Sequence, residues 1–178
     1  MKIKIAQFGL GPIGLETLKL AATKPWAEIV GGVDIDPAKI GKDLGALTGV
    51  KGLRGRRVWG SLEELLAHAR PQVIFHTSVS KFNDAFTQIE PMARRGISVV
   101  SSCEELLFPA LLAPELAAKL DRVCKKAGIA SISFIPVRIR LRNLLLSPRP
   151  LVCESLSLLW SIAMADRSDD SYWLLSLL

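Results

Sequence analysis

Three glycines near the start of the chain have the spacing of a phosphate-binding turn. Gly9, Gly11 and Gly14 form the pattern G-x-G-x-x-G, which follows the β-prone segment KIKIAQF and opens a helical stretch. In such a turn the first glycine permits a tight bend, the second admits a pyrophosphate, and the third lets the helix pack closely on the strand. The helix N-terminus then points N–H groups at the phosphates. The turn, which includes Pro12 and Ile13, predicts dinucleotide binding; a plain strand–turn–helix glycine cluster is the alternative.

An acidic residue stands where the ribose of a dinucleotide would be recognised. Asp34 follows Gly14 by about 20 residues, at the end of the second predicted strand. A carboxylate there accepts hydrogen bonds from ribose hydroxyls and disfavours a 2′-phosphate. Arg54, Arg56 and Arg57 come just before and within the third predicted strand and could reach a 2′-phosphate, although a solvated loop is the favoured interpretation of this charge run. We therefore predict NAD or NADP as the cofactor and favour NAD modestly.

Polar residues also follow the fourth and fifth predicted strands, at the edge where parallel α/β sheets bind ligands. Thr77 and Ser78 could line a nicotinamide site, or cap the next helix. The segment VVSSCEELLFP brings Ser102 to the same edge and then presents Glu104 and Glu105. A carboxylate here could hold a substrate ammonium group or move a proton. The same pair could simply begin a helix, whose dipole favours acidic residues.

Cysteine and histidine are too sparse and scattered for a disulfide framework or a zinc site. Cys103, Cys124 and Cys153 lie far apart, and His68 and His76 are the two histidines. We therefore expect no metal. Cys103 could act as a nucleophile only if His76 activated it, and a buried small residue is the favoured interpretation.

Composition points to a folded chain, and an ordinary solvated surface is the favoured interpretation of most of its basic residues. Of the 178 residues, 49% are hydrophobic and 22% charged, which excludes a disordered chain, and the net charge is +6. The excess charge is concentrated only in KGLRGRR (51–57), and it suits an anionic cofactor at least as well as nucleic acid. No apolar run approaches the ~20 residues of a membrane helix. We expect no nucleic-acid or membrane partner and a cytoplasmic location.

Strands and helices alternate along the first 136 residues. This order predicts an α/β fold, a Rossmann-type doubly wound parallel sheet, as one dinucleotide-binding domain over 1–136. A helix over 37–47 is expected to carry Pro37 at its first position, and Pro91 is expected to kink another helix. The predicted strands are 2–8, 28–34, 56–59, 72–77, 97–101 and 129–135, and the predicted helices are 14–24, 37–47, 61–69, 83–95 and 114–128.

Several of these segments together carry a family resemblance. The segments are KIAQFGLGPIGLETLKL, GVDIDPAKIGKDLGAL, SLEELLAHARPQVIFHTS and, the most specific of them, SSCEELLFP. Through them, the chain over residues 1 to about 136 resembles the dihydrodipicolinate reductase-like oxidoreductases, most nearly the 2,4-diaminopentanoate dehydrogenases and native amine dehydrogenases.

The resemblance implies an activity, a cofactor and a substrate contact. It implies NAD(P)-dependent, reversible oxidative deamination of an amine to a ketone, with a small-molecule amine or ketone as partner. It also implies that a glutamate of the S-x-C-E-E segment faces the substrate nitrogen. That residue is Glu104 here, with Glu105 as the fallback. Full-length relatives are expected to be homodimers, with a second α+β domain that supplies most of the substrate pocket. A non-catalytic dinucleotide-binding protein, or another reductase of the same broad family, is the alternative.

The character of the sequence changes after residue 136. No glycine follows Gly128, and arginines fall on alternate positions at Arg138, Arg140 and Arg142. The family resemblance implies a G-x-N-P-G turn where this chain has PVRIRLRN, and synonymous codons for that stretch, read in a shifted frame, can encode Gly-Ala-Asn-Pro. We interpret 137–178 as an aberrant tail, frame-changed or poorly ordered, in place of a substrate domain. A divergent tail with a strand and an amphipathic helix near 151–165 is the alternative.

Overall fold

The computed structural model describes residues 2–129 and 131–133, and within them all six strands pair in parallel. The spatial order of the strands is β3-β2-β1-β4-β5-β6. This is the Rossmann order, so the predicted fold class is confirmed. The expectations for residues 134 and 135 of the last strand, and for the tail 137–178, lie outside the described residues. The strands are β1 (Ile3–Phe8), β2 (Ala27–Val33), β3 (Val58–Trp59), β4 (Val73–His76), β5 (Ser98–Ser101) and β6 (Ser131–Ser133).

Helices connect successive strands and cover the sheet. They are α1 (Pro12–Ala22), α2 (Leu44–Thr48), α3 (Leu62–His68), α4 (Phe82–Arg94), α5 (Pro109–Leu112) and α6 (Pro114–Ala127), with short 3₁₀ helices at Lys51–Leu53 and Glu104–Leu107. Pro91 lies inside α4, as the sequence predicted. No helix among the described residues has both the length and the apolar character that crossing a membrane requires.

Burial explains the apolar character of the central strands. β4 is buried at all four of its residues, because β1 and β5 flank it and helices cover the two faces of a parallel sheet. Phe8 at the end of β1 pairs with Val33 of β2 on one side and with His76 of β4 on the other. The carboxyl ends of β1, β2 and β4 therefore meet at one edge of the sheet.

Local signals in the sequence fix several helix boundaries. Ser61 accepts a hydrogen bond from Glu64 N (3.1 Å), and the Glu64 side chain accepts one from Gly60 N (2.9 Å), which together begin α3. At the other end of the domain, Gly128 takes the left-handed conformation (φ 66°) that ends α6. These boundaries agree with the predicted helices.

The helix predicted over 37–47 is wrong in its first half. Asp36 accepts a hydrogen bond from Ala38 N (2.9 Å), which makes a tight turn after β2. Gly41 has a φ of 82°, which a right-handed helix does not allow. The helix begins only at Leu44, after Asp43 accepts a hydrogen bond from Ala46 N (3.0 Å).

One apolar segment is exposed next to the carboxyl edge of β5. Leu107, Phe108, Leu111 and Leu112 are 36%, 61%, 82% and 60% exposed, in contrast to the buried side chains of β4 and α4. This segment belongs to the end of the 3₁₀ helix and to α5.

Candidate functional site

The glycine-rich turn lies between β1 and α1, against the segment that follows β4. Gly9 N donates to Val33 O (2.9 Å), and Gly9 has a φ of 89°, which disfavours other residues. A Cβ at Gly9 would lie 2.9 Å from Ser78 N. The turn therefore sits at the switch point between β1 and β4, where doubly wound folds bind dinucleotides.

The other two glycines of the pattern are constrained in opposite ways. A Cβ at Gly14 would collide with Gly9 O and lie 2.8 Å from Thr77 Oγ1, so the close approach of α1 to the sheet requires glycine. A Cβ at Gly11 would meet no atom within 4 Å. Open space therefore lies beside the first turn of α1, whose leading N–H groups have no carbonyl partner within the helix. This space and these donors fit a pyrophosphate.

Hydrogen bonds beneath the turn hold it in this shape. Thr77 Oγ1 donates to Gly9 O (3.0 Å) and accepts from Gln7 Nε2 (2.8 Å), which also contacts Gly9 O at 3.1 Å. Gln7 is fully buried. Thr77 thus supports the glycine turn, a role that the sequence analysis did not foresee. The sequence does distinguish Gln7, because it is a polar residue that follows the apolar Ile5 and Ala6 near the end of a strand.

The carboxylate of Asp34 is bonded to the protein on both oxygens. Oδ2 accepts from Leu10 N (2.7 Å), and Oδ1 accepts from Asp36 N (2.8 Å). Asp34 is 8% exposed, and Lys39 Nζ lies 3.5 Å from its Oδ2 and 3.4 Å from Asp36 Oδ2. The pKa of Asp36 is lowered mainly by the hydrogen bond from Ala38 N, with Lys39 contributing. Asp34 therefore fixes the turn at Leu10 as well as marking the end of β2.

Arg54, Arg56 and Arg57 all precede β3 and are exposed. The guanidinium of Arg57 stacks on the Trp59 ring, 4.8 Å from its centroid. Arg54 and Arg56 lie in the loop before β3. Lys39, which the sequence analysis did not single out, is the basic side chain that contacts the Asp34 carboxylate.

The two glutamates after β5 have different surroundings. Glu105 Oε2 accepts from Phe82 N (2.7 Å) at the first turn of α4, where a helix N-terminus favours negative charge. Glu104 is exposed at the start of the 3₁₀ helix. Glu105 is thus occupied in capping α4, whereas Glu104 is accessible beside the carboxyl edge of β5. Ser102, partly buried, precedes them and donates its backbone N–H to His76 O (2.9 Å).

Cys103 is not arranged as a nucleophile. The side chain is fully buried, and its thiol donates to Ser80 O at 3.0 Å. Burial raises the pKa of the thiol, and the nearby Glu104 and Glu105 raise it further. The His76 ring contacts Ser101 and Gln88. Within residues 2–129 and 131–133, no three histidine, cysteine or acidic residues lie close enough to bind a metal ion together.

Comparisons with known proteins match this first part of the chain. No protein-family model matches. The chain is 30% identical over 134 residues to 2,4-diaminopentanoate dehydrogenase of Acetoanaerobium sticklandii, covering 72% of this chain and 36% of that protein. The amine dehydrogenase of Mycobacterium smegmatis superposes with a TM-score of 0.64 at 30% identity, over 72% of this chain and 38% of its own.

A more distant structure supports the fold alone. The WlbA dehydrogenase of Bordetella pertussis, solved with NADH and UDP-GlcNAcA, has a TM-score of 0.56 at 23% identity, over 75% of this chain and 35% of its own. The chain thus spans little more than a third of the length of these proteins. Its first part is a Rossmann-type unit similar in sequence and fold to the N-terminal part of diaminopentanoate and amine dehydrogenases, and the resemblance seen in the sequence is confirmed there.

Proposed function

We propose that the described residues form the NAD(P)-binding part of an oxidoreductase that interconverts a small amine and a ketone. The observation that carries the proposal is the open space beside Gly11, at the N-terminus of α1 and the β1/β4 switch point. The similarity to an amine dehydrogenase and a diaminopentanoate dehydrogenase supplies the reaction class. The wider dihydrodipicolinate reductase-like family is part of the same proposal.

Each group of residues would contact a different part of the cofactor. The first turn of α1, from Pro12 to Gly14, would bind the pyrophosphate, and Asp34 would face the adenosine ribose. Ser78 and Ser102, which follow β4 and β5 at their carboxyl edges, would lie on either side of the nicotinamide ring of the cofactor. The cofactor, when bound, supplies hydride transfer at its nicotinamide ring.

Glu104 would orient the substrate nitrogen. Its carboxylate is accessible, whereas that of Glu105 caps α4. An ionised carboxylate attracts an ammonium group, and it can accept a proton when the amine is oxidised. Substrate binding and dimer formation are inferred from the family resemblance and belong to the whole protein.

A second candidate, dinucleotide binding without turnover, is favoured by the exposure of Glu104. A carboxylate in bulk water attracts an ammonium group by only about 1 kcal/mol at 4 Å, against about 4 kcal/mol at the effective dielectric of a protein surface. Catalysis therefore needs further atoms that exclude water from Glu104.

The test is a titration followed by a turnover assay. Quenching of intrinsic tryptophan fluorescence by NADH and NADPH measures binding to the 178-residue chain, with ATP as a matched nucleotide that lacks nicotinamide. Absorbance at the NAD(P)H band then follows oxidation of 2,4-diaminopentanoate, or reduction of simple ketones with ammonia. Binding with turnover supports the dehydrogenase over the second candidate. Binding without turnover by the 178-residue chain is expected of both candidates, and turnover by a longer protein that encloses Glu104 then decides between them. Absence of NADH and NADPH binding would overturn both.

A further inference from the structure

His76 is a fully buried titratable residue that the proposed mechanism does not use. It ends β4, and its ring stacks on Phe8 with centroids 5.7 Å apart. Nδ1 lies 2.8 Å from Ser101 Oγ of β5, and Nε2 lies 2.7 Å from Gln88 Oε1 of α4. Ser78 Oγ lies 3.0 Å from the same Nε2 and also bonds to Gln88 Oε1. The ring thus connects β4, β5 and α4.

The partners determine which ring nitrogen carries the proton. Gln88 Oε1 can only accept, so Nε2 must be the donor. In a neutral ring with its proton on Nε2, Nδ1 is an acceptor, so the Ser101 hydroxyl donates to Nδ1 while its oxygen accepts from Cys103 N (3.1 Å). The hydrogen bonds therefore run in one direction, from Cys103 N through Ser101 to His76 and on to Gln88.

The ring is neutral in this arrangement. A protonated imidazole has two donors, so the Ser101 hydroxyl would have to turn its proton away and accept from Nδ1 and Cys103 N together. The side chains that contact the ring from β1, β5, α4 and the segment after β4 are Phe8, Ser101, Gln88 and Ser78, and none of these contacts is charged. Burial lowers the pKa of His76, although the hydrogen bond to Gln88 partly opposes this.

The network joins the two segments that flank the proposed nicotinamide end. On one side it holds Ser78, whose backbone packs on Gly9. On the other it holds Ser101 and the backbone of Cys103, directly before Glu104. We propose that His76, in its neutral Nε2–H form, is a positioning residue that sets the spacing of segments 77–78 and 101–104 for the nicotinamide half of the cofactor. The proposal rests on the proposed function.

The competing interpretation is a core histidine that only stabilises the fold. The two interpretations predict different effects of a substitution at His76 on the binding of the two halves of the cofactor. ADP-ribose contains the adenosine, the pyrophosphate and the second ribose but lacks the nicotinamide. We expect its binding to depend mainly on the glycine turn and Asp34, which make no hydrogen bond with the His76 ring. A positioning role predicts that loss of the network weakens NADH and spares ADP-ribose, whereas a general loss of stability weakens both equally or neither.

The first experiment measures both affinities in the wild-type 178-residue chain and in His76→Phe and Ser101→Ala. His76→Phe keeps an aromatic ring beside Phe8 but removes every hydrogen bond of the imidazole. Ser101→Ala removes the bond to Nδ1 together with the acceptor of Cys103 N. We expect the Kd for NADH to rise by about tenfold or more in His76→Phe and that for ADP-ribose to change by less than about twofold. His68→Gln is the control for loss of the other histidine. His68 is exposed at the end of α3 and its ring stacks on Trp59 (centroids 4.1 Å apart), so affinities are measured by calorimetry rather than by tryptophan fluorescence.

Equal losses of NADH and ADP-ribose affinity, or no loss of either, would overturn the positioning role while leaving the proposed function intact. Failure of the wild-type chain to bind either NADH or NADPH would overturn the proposed function and the positioning role with it. His68→Gln also leaves His76 as the only histidine of the chain, so its imidazole ¹⁵N shifts can be measured without overlap. A neutral Nε2–H tautomer at pH 7 is expected. A charged ring or an Nδ1–H tautomer would overturn the network, whether or not the substituted chains fold.

Discussion

At the scale of single residues, the three glycines of the turn differ in role: Gly9 and Gly14 are required for folding, whereas Gly11 leaves space for a ligand. Gly9 and Gly14 are needed by the protein itself, because added Cβ atoms would collide with the backbone after β4 and with Gly9 O. Gly11 is different, because its surroundings are open and its φ of −66° is available to any residue. A substitution at Gly11 should therefore affect a ligand and leave the protein folded.

Gly11→Val should weaken NADH binding by at least about tenfold, because the new methyl groups would occupy the approach of the pyrophosphate. The thermal midpoint should stay close to that of the wild type. Gly52→Val is the matched control, since a Cβ at Gly52 also meets no atom within 4 Å. Unchanged NADH affinity in Gly11→Val, measured by fluorescence titration, would contradict the assignment of this turn.

Asp34 holds the turn at Leu10 and is proposed to bind the adenosine ribose, and its substitution tests the proposed ribose contact. Asp34→Ser should raise the Kd of NADH by about tenfold, because a charged hydrogen-bond acceptor is lost, and should raise that of NADPH less, because repulsion of the 2′-phosphate is also lost. The adjacent Lys39, 3.5 Å from Asp34, would then face the 2′-phosphate without its partner. Asp36→Ser serves as the neighbouring control. If the ratio of the two affinities stays the same in Asp34→Ser, another residue recognises the ribose.

At the scale of elements, the segment after β5 is attached to α4 through Glu105. Glu105→Ala should destabilise the protein by about 1 kcal/mol, since Phe82 N at the first turn of α4 would lose its acceptor. This corresponds to a decrease of about 2–4 °C in the thermal midpoint. Glu104→Ala, its exposed neighbour, should change the midpoint much less. Equal decreases in the two variants would contradict the distinct roles of the two carboxylates.

The buried ring at the end of β4 should make stability depend on pH. The pKa of His76 is lowered in the folded protein, so the unfolded chain takes up a proton first as the pH falls. The stabilisation is complete above the unfolded pKa of about 6.5 and decreases as the pH falls from there towards the lowered folded pKa. Urea unfolding of His68→Gln between about pH 7.5 and 5 should show this decrease. A flat profile in that window, or one that matches His76→Phe, would contradict it.

The sequence predicted the sheet and its helices because their signals are local. Alternation, the Ser61 capping box and the glycine after α6 each lie within a few residues of the boundary that they determine. The contacts that complete the site are not local. Phe82 and Glu105 are 23 residues apart, His76 and Ser101 are 25 apart, and Leu10 and Asp34 are 24 apart. Only folding brings these pairs together, so the capping role of Glu105 and the second role of Asp34 could not be predicted.

At the scale of the whole molecule, the exposure of Glu104 to water limits the amine oxidation that the described residues can support. We expect the 178-residue chain to bind NAD(P)H and to show little or no amine oxidation, because water screens an exposed carboxylate from an ammonium group. Assays with 2,4-diaminopentanoate and excess NAD or NADP measure this directly. Robust oxidation by the chain would contradict the expectation.

The coding DNA after codon 136 tests the interpretation of the tail. A second reading frame that encodes Gly-Ala-Asn-Pro should restore turnover when it replaces the present one. In that longer protein, Glu104→Ala should remove most of the activity and leave NADH binding intact. Full activity in that variant would contradict the role of Glu104 at the substrate nitrogen.

The open space beside Gly11 predicts which positions of the turn would change in diverging copies of the gene. A copy that drifted without selection for a ligand, but still under pressure to fold, would keep Gly9 and Gly14 and lose Gly11 early, because nothing in the protein itself penalises a side chain there. Related chains that have lost dinucleotide binding should therefore keep Gly9 and Gly14 and vary at position 11, which is glycine in this chain.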